Sequence, residues 1–88
     1  MVKRLEIRVH GWVQGVGFRF CAYQKFDELG LSGSASNESD GTVKLLAQGE
    51  DFRLEELLKW CHVGPAGARV NSVDVADIPV EAEEKPKS

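Results

Sequence analysis

An arginine set just behind closely spaced glycines can hold an oxyanion. The run VHGWVQGVGFR, residues 9–19, carries that combination in Gly11, Gly15, Gly17 and Arg19. Glycine lets successive N–H groups converge with no Cβ atoms between them. Where such a loop opens a helix, the unpaired N–H groups and the helix dipole add partial positive charge. A phosphate suits that place. Arg19 falls in the first turn of the expected helix, where a cation opposes the dipole, and a bound anion reverses that penalty. A guanidinium also grips two phosphate oxygens at once. The expected ligand is therefore inorganic phosphate, sulfate or a phosphoryl group, held by the backbone of Gln14, Gly15, Val16, Gly17, Phe18 and Arg19. The same residues also suit a plain strand-to-helix turn beside a solvated arginine, and glycines alone do not separate the two readings.

Other phosphate motifs do not fit. A P-loop needs Lys and then Ser or Thr after its last glycine, but Phe18 and Arg19 follow Gly17. A dinucleotide fingerprint needs a third glycine where Phe20 stands. Cys21 and Cys61 lie too far apart for a metal knuckle and are too few for a disulfide framework, so free thiols are expected and no metal or cofactor. His10 sits on the polar side of a strand and His62 near a helix end; neither has a carboxylate at telling spacing, so both read as structural or solvated. Trp12, between two glycines, could flank the loop or pack, Trp60 reads as core rim, and Asp40 as a turn residue near Asn37.

The elements that must position these residues follow from periodicity. Residues 3–9 alternate, with Leu5, Ile7 and Val9 on one face of a strand. The glycine-rich stretch then leads into a helix whose face is Phe18, Ala22, Phe26 and Leu29, with Gly30 as its stop. Residues 31–37 are weakly patterned. Glu38-Ser39-Asp40-Gly41 is turn chemistry, and 42–48 is a strand, so a hairpin is expected. Asp51 is expected to cap a second helix with the stripe Leu54, Leu57, Leu58 and Cys61, which Gly64-Pro65 ends. A last strand falls within 68–80, with Val73, Val75 and Ile78 inward. The order β-α-β-β-α-β with one-faced elements predicts an α+β fold, a ferredoxin-like α/β sandwich with two helices on one face of an antiparallel sheet.

The 88 residues suit one domain, taken as 1–80, followed by a charged tail, 81–88, expected to be disordered. A net charge of −3 argues against nucleic acid as a partner. There is no long apolar run and no signal-like apolar block, so no membrane partner and a cytoplasmic location are expected. A monomer is expected.

Val9 to Arg19 also resembles the first signature of the acylphosphatase family at every defined position. Gly33, Asn37, Gly41, Val43 and Gly49 resemble the second, and the likeness covers about residues 4 to 78. The resemblance implies a ferredoxin-like sandwich that hydrolyses small acyl phosphates to a carboxylate and phosphate, with no metal. It implies that Arg19 binds the phosphate, that Asn37 positions the water, and that the Gln14–Arg19 backbone is the cradle. Ser34 and Ser36 stand where the family usually has an aromatic and a basic residue, so the strand around Asn37 is less apolar and expected to hold it less firmly. The family usually ends on a short strand, where this chain has EAEEKPKS. Two other functions share the pattern. One is a non-catalytic module for phosphate or carbamoyl phosphate, disfavoured by the presence of both Arg19 and Asn37. The other is an RNA-binding sheet, which would need aromatics that the strand TVKLLAQ lacks.

Overall fold

Alternation makes the first strand two-faced, and a strand with one apolar face must find a layer to cover it. In the computed structural model, which describes residues 1–82, that layer is a pair of helices. The elements are β1 (Val2–Trp12), α1 (Phe18–Leu29), β2 (Ser32–Asn37), β3 (Val43–Glu50), α2 (Asp51–Val63) and β4 (Arg69–Ile78). The sheet order is β2-β3-β1-β4, with every neighbouring pair antiparallel. Leu5, Ile7 and Val9 of β1 and Val43, Leu45 and Ala47 of β3 form the buried floor. Phe18, Ala22 and Phe26 from α1 and Leu54, Leu57 and Cys61 from α2 close it. Burying each such leucine or phenylalanine contributes about 1.5–3 kcal/mol, which is what pins the helices to one face. Among the described residues no helix is long and apolar enough to cross a membrane.

Gly30 ends α1 in the left-handed conformation, its N–H bonded back to Asp27 O. The second helix differs from expectation at its start. Glu50, not Asp51, is the capping position, its backbone is extended, and no side chain caps the helix among the described residues. Asp51 is already the first helical residue, where its charge still complements the dipole. The first strand is also longer than its alternation suggested. Gly11 and Trp12, expected in the glycine-rich loop, continue β1 through an irregularity between His10 and Gly11 opposite β4. Gly11 has φ 129° there, and a Cβ on it would run into the Arg69 carbonyl oxygen. Its glycine serves a close strand approach, and the pliable part of the run is confined to residues 13–17.

Val73 and Val75 lie opposite Val9 and Ile7, on the helix side as expected, although Val75 is half-exposed because β4 is an edge strand. Ile78, expected inward with them, pairs with Arg4 and so falls on the open face, because the alternation from Val73 and Val75 continues to Asp77. The charged tail begins at Glu81, which exchanges hydrogen bonds with the Gln48 side chain at 2.8 and 2.9 Å. Residues 83–88 of that expected disordered segment lie outside the described residues.

Candidate active site

Antiparallel pairing brings three chain segments to one end of the sheet. Val9 of β1 pairs with Val43 of β3, and Val43 pairs with Asn37, the last residue of β2. The loop leaving β1 therefore passes beside Asn37. Pairing parity also sets the direction of the side chain. Gly33, Ala35 and Asn37 lie opposite Ala47, Leu45 and Val43, all fully buried on the helix-covered face. Asn37 thus projects toward the layer of α1. There it lines one cavity of about 200 Å³ with Val13, Gly15, Gly17, Phe18, Arg19 and Phe20.

Gly15 and Gly17 have φ 76° and 78°, and Gly17 is the capping residue of α1. A Cβ at either would meet no described atom within 4 Å, so glycine is required here for conformation rather than space. The first helical bond is Cys21 N–H to Gly17 O at 3.0 Å. The N–H groups of Phe18, Arg19 and Phe20 precede it and have no intrahelical acceptor. The first turn has no acidic residue, and among the described residues no side chain caps it. Arg19 is exposed and takes part in none of the ion pairs among the described residues.

The side chains of two residues whose backbone was expected in the cradle, Val16 and Gln14, do not line the cavity. Val16 packs, partly buried, against the core. The Gln14 side chain turns away from the cavity, and its Nε2 donates to Glu38 O at 2.8 Å and Thr42 O at 2.9 Å. That amide ties the loop to the turn directly after Asn37. Phe18 reaches both ways, lining the cavity while its ring packs on Trp60 at 5.0 Å between centroids.

The turn after Asn37 is heavily tied. Gly41 N–H bonds Glu38 O, and Glu38 N–H bonds Thr42 O. Asp40 Oδ1 accepts from the Thr42 hydroxyl at 2.6 Å and from its backbone N–H at 3.0 Å. These bonds hold the Asp40 carboxyl below the usual carboxylate range, first through the hydroxyl and then the amide. Arg8 reaches Glu38 at 3.9 Å, Asp40 at 3.5 Å and the Thr42 hydroxyl at 3.2 Å, and Lys44 adds a contact to Glu38. Ser36, one of the two unusual serines, donates to Glu38 Oε2 at 3.2 Å. On the outer edge of β2, Ala35 N–H donates to the Tyr23 hydroxyl at 3.1 Å. Hydrogen bonds thus stand where apolar bulk was expected to hold the strand.

Several of these partners were missed from sequence. An amide side chain in a loop of Gly and Val was the available signal for Gln14; nothing local marked Arg8 or Tyr23. Asp74 lies 2.8 Å from His10 Nε2 on the open sheet face, a partner that only strand pairing supplies. Trp12 is exposed and lines a different depression with His10 and Arg69. Both cysteines are free thiols, and burial pushes the Cys61 thiol up to about 12. No group of three His, Cys, Asp or Glu side chains that could hold a metal gathers among the described residues. The cavity's polar side chains are one guanidinium and one carboxamide.

A β-α-β-β-α-β sandwich with two helices on one face of an antiparallel sheet is a ferredoxin-like fold. The sequence profile of the acylphosphatase family matches residues 5–87. The chain is 44% identical over 82 residues to an acylphosphatase of Methylococcus capsulatus, covering 93% of this chain and 89% of that one. It is 50% identical over 72 residues to an acylphosphatase of a Synechococcus species, covering 82% of this chain but only 62% of that protein's length. Its fold is similar to the solved structure of an acylphosphatase from Coxiella burnetii, with TM-score 0.89 and 38% identity over 93% of this chain and 86% of that one. The chain belongs to the acylphosphatase family, a family of hydrolases.

Proposed function

We propose that this chain hydrolyses small acyl phosphates to a carboxylate and inorganic phosphate, without a metal ion. The observation that carries the reading is that Arg19 and Asn37 line one cavity at the uncapped start of α1. The backbone N–H groups along Gln14 to Arg19 that face the cavity, with the Arg19 guanidinium, hold the phosphoryl oxygens. These fixed donors offset the charge of the transition state. The Asn37 carboxamide orients a water for in-line attack. The water oxygen bonds phosphorus, the bond from phosphorus to the acyl oxygen breaks, and the carboxylate leaves with that electron pair. A carboxylate is a weak base, so its departure needs little acid assistance. Asparagine does not titrate at neutral pH and so takes no proton. The proton from the attacking water goes to a phosphate oxygen. Two free thiols suit a reducing cytoplasm.

The test is hydrolysis of benzoyl phosphate by three proteins. Arg19→Ala is expected to lose both turnover and competitive inhibition by phosphate. Asn37→Ala is expected to slow turnover about a hundredfold or more while phosphate still inhibits. Near-wild-type turnover by Arg19→Ala refutes the assignment, and loss of wild-type activity in EDTA refutes the metal-free step.

A further inference from the structure

A phosphate cradle is indifferent to what the phosphate is attached to, so acyl selectivity must come from another wall of the cavity. That wall is Phe20. It follows Arg19 directly on α1 and lines the cavity together with Asn37. It belongs to a row of aromatic residues spaced three apart, Phe20, Tyr23 and Phe26, which share one side of the helix. The row runs antiparallel to β2. A Cβ on Gly33 would meet the Phe26 ring at 3.2 Å, Ala35 N–H donates to the Tyr23 hydroxyl, and Asn37 shares the cavity with Phe20. Phe26 and Tyr23 also stack edge to face at 5.7 Å.

Exposure rises along this row toward the cavity. Phe26 is 2% exposed, Tyr23 45% and Phe20 68%. The first two have partners on β2 or in the core. Phe20 is neither in the core cluster nor among the partly buried residues packed on it. Phe20 borders a space whose other walls are glycine backbone, an arginine, a carboxamide and the core residues Val13 and Phe18, and of its apolar residues only Phe20 is exposed. An aromatic face left open beside an anion site covers whatever apolar group projects from that anion.

We infer that Phe20 is the acyl-recognition residue of this site, and that the preferred substrates are acyl phosphates with an aromatic or bulky apolar acyl group. The inference rests on the acyl-phosphate reading above. With the phosphoryl group held by Arg19 and the loop, the carbonyl substituent lies against the Phe20 ring. Acetyl phosphate has one methyl group to offer and gains little from that contact, whereas a benzoyl group stacks across it.

The experiment compares kcat/KM for benzoyl phosphate and acetyl phosphate in wild type, Phe20→Ala and Phe20→Leu. Phe20→Ala is expected to lower the benzoyl value about tenfold, mainly through KM, equivalent to ~1.4 kcal/mol. The acetyl value and inhibition by inorganic phosphate are expected to stay within about twofold, with Phe20→Leu between alanine and wild type for benzoyl phosphate. Because the ring is exposed, all three proteins are expected to unfold at similar temperatures. A benzoyl-to-acetyl ratio that Phe20→Ala leaves unchanged overturns the inference while the hydrolase reading stands. Wild type that hydrolyses neither compound overturns both.

Discussion

Replacing Gln14 with alanine removes the amide that joins the loop to the turn after Asn37. Two hydrogen bonds go, to Glu38 O at 2.8 Å and to Thr42 O at 2.9 Å. Each is worth about 1 kcal/mol net, and an acceptor left buried and unpaired would cost more. Neither carbonyl is orphaned, because Gly41 N–H still bonds Glu38 O and Glu38 N–H still bonds Thr42 O. The expected loss is therefore ~1.5 kcal/mol, toward the low end for two bonds. For a domain of this size that lowers the melting temperature by about 8 °C. Gln14→Glu discriminates further. At neutral pH it presents a charge and no donor to two carbonyl oxygens, so it is expected to be less stable than alanine. Below about pH 4 its protonated carboxyl can donate again and recover part of the loss. Asn37 directly precedes Glu38, so both variants should also lower kcat more than they weaken inhibition by phosphate. Thermal unfolding by circular dichroism and steady-state hydrolysis of benzoyl phosphate read both effects. A melting temperature within about 2 °C of wild type, with kcat unchanged, refutes the idea that this amide couples the two halves of the site.

Gly11→Ala is expected to destabilise by about 3 kcal/mol or more, because its Cβ collides with the Arg69 carbonyl at a backbone angle that alanine resists; urea denaturation measures it. Burial raises the Cys61 thiol from 9.0 to about 12, so its contribution is intact below pH 9 and is lost as pH rises toward 12, where the unfolded thiol ionises first. Urea titrations at successive alkaline pH values should show wild type losing stability more steeply than Cys61→Ala. At neutral pH a thiol reagent should modify partly exposed Cys21 well before buried Cys61.

Periodicity placed β1, β3 and both helices, because each buries one face and writes it into its apolar spacing, whereas weakly patterned β2 was placed by the turn chemistry that follows it. The errors fall where backbone geometry is set from across the sheet. Gly11 looked like loop because glycine is a poor strand former, yet it sits in β1 where the neighbouring strand comes too close for a Cβ. Asp51 looked like a cap, but the extended residue before the helix is Glu50, whose carboxylate the N-terminal ammonium holds at 2.8 Å. Of the two serines around Asn37, Ser36 bonds Glu38 in the turn that Arg8 and Gln14 also hold, a set of partners that β-propensity does not register.

Gly15, Gly17 and Arg19 were legible in the chain itself, since a left-handed turn, an uncapped helix start and a cation within five residues form one local unit. The family resemblance was legible too, and it singled out Asn37 without saying how that residue reaches Arg19. Only the tertiary structure decided that meeting. Antiparallel register carries Val9 to Val43 and Val43 to Asn37, and pairing parity turns the amide toward α1. Gln14 and Tyr23 acquire their hydrogen-bond partners from the same non-local contacts. Local chemistry can write a left-handed loop and an uncapped helix start into six residues, but the meeting of Asn37 with Arg19 and Phe20 depends on which strand ends the sheet brings together.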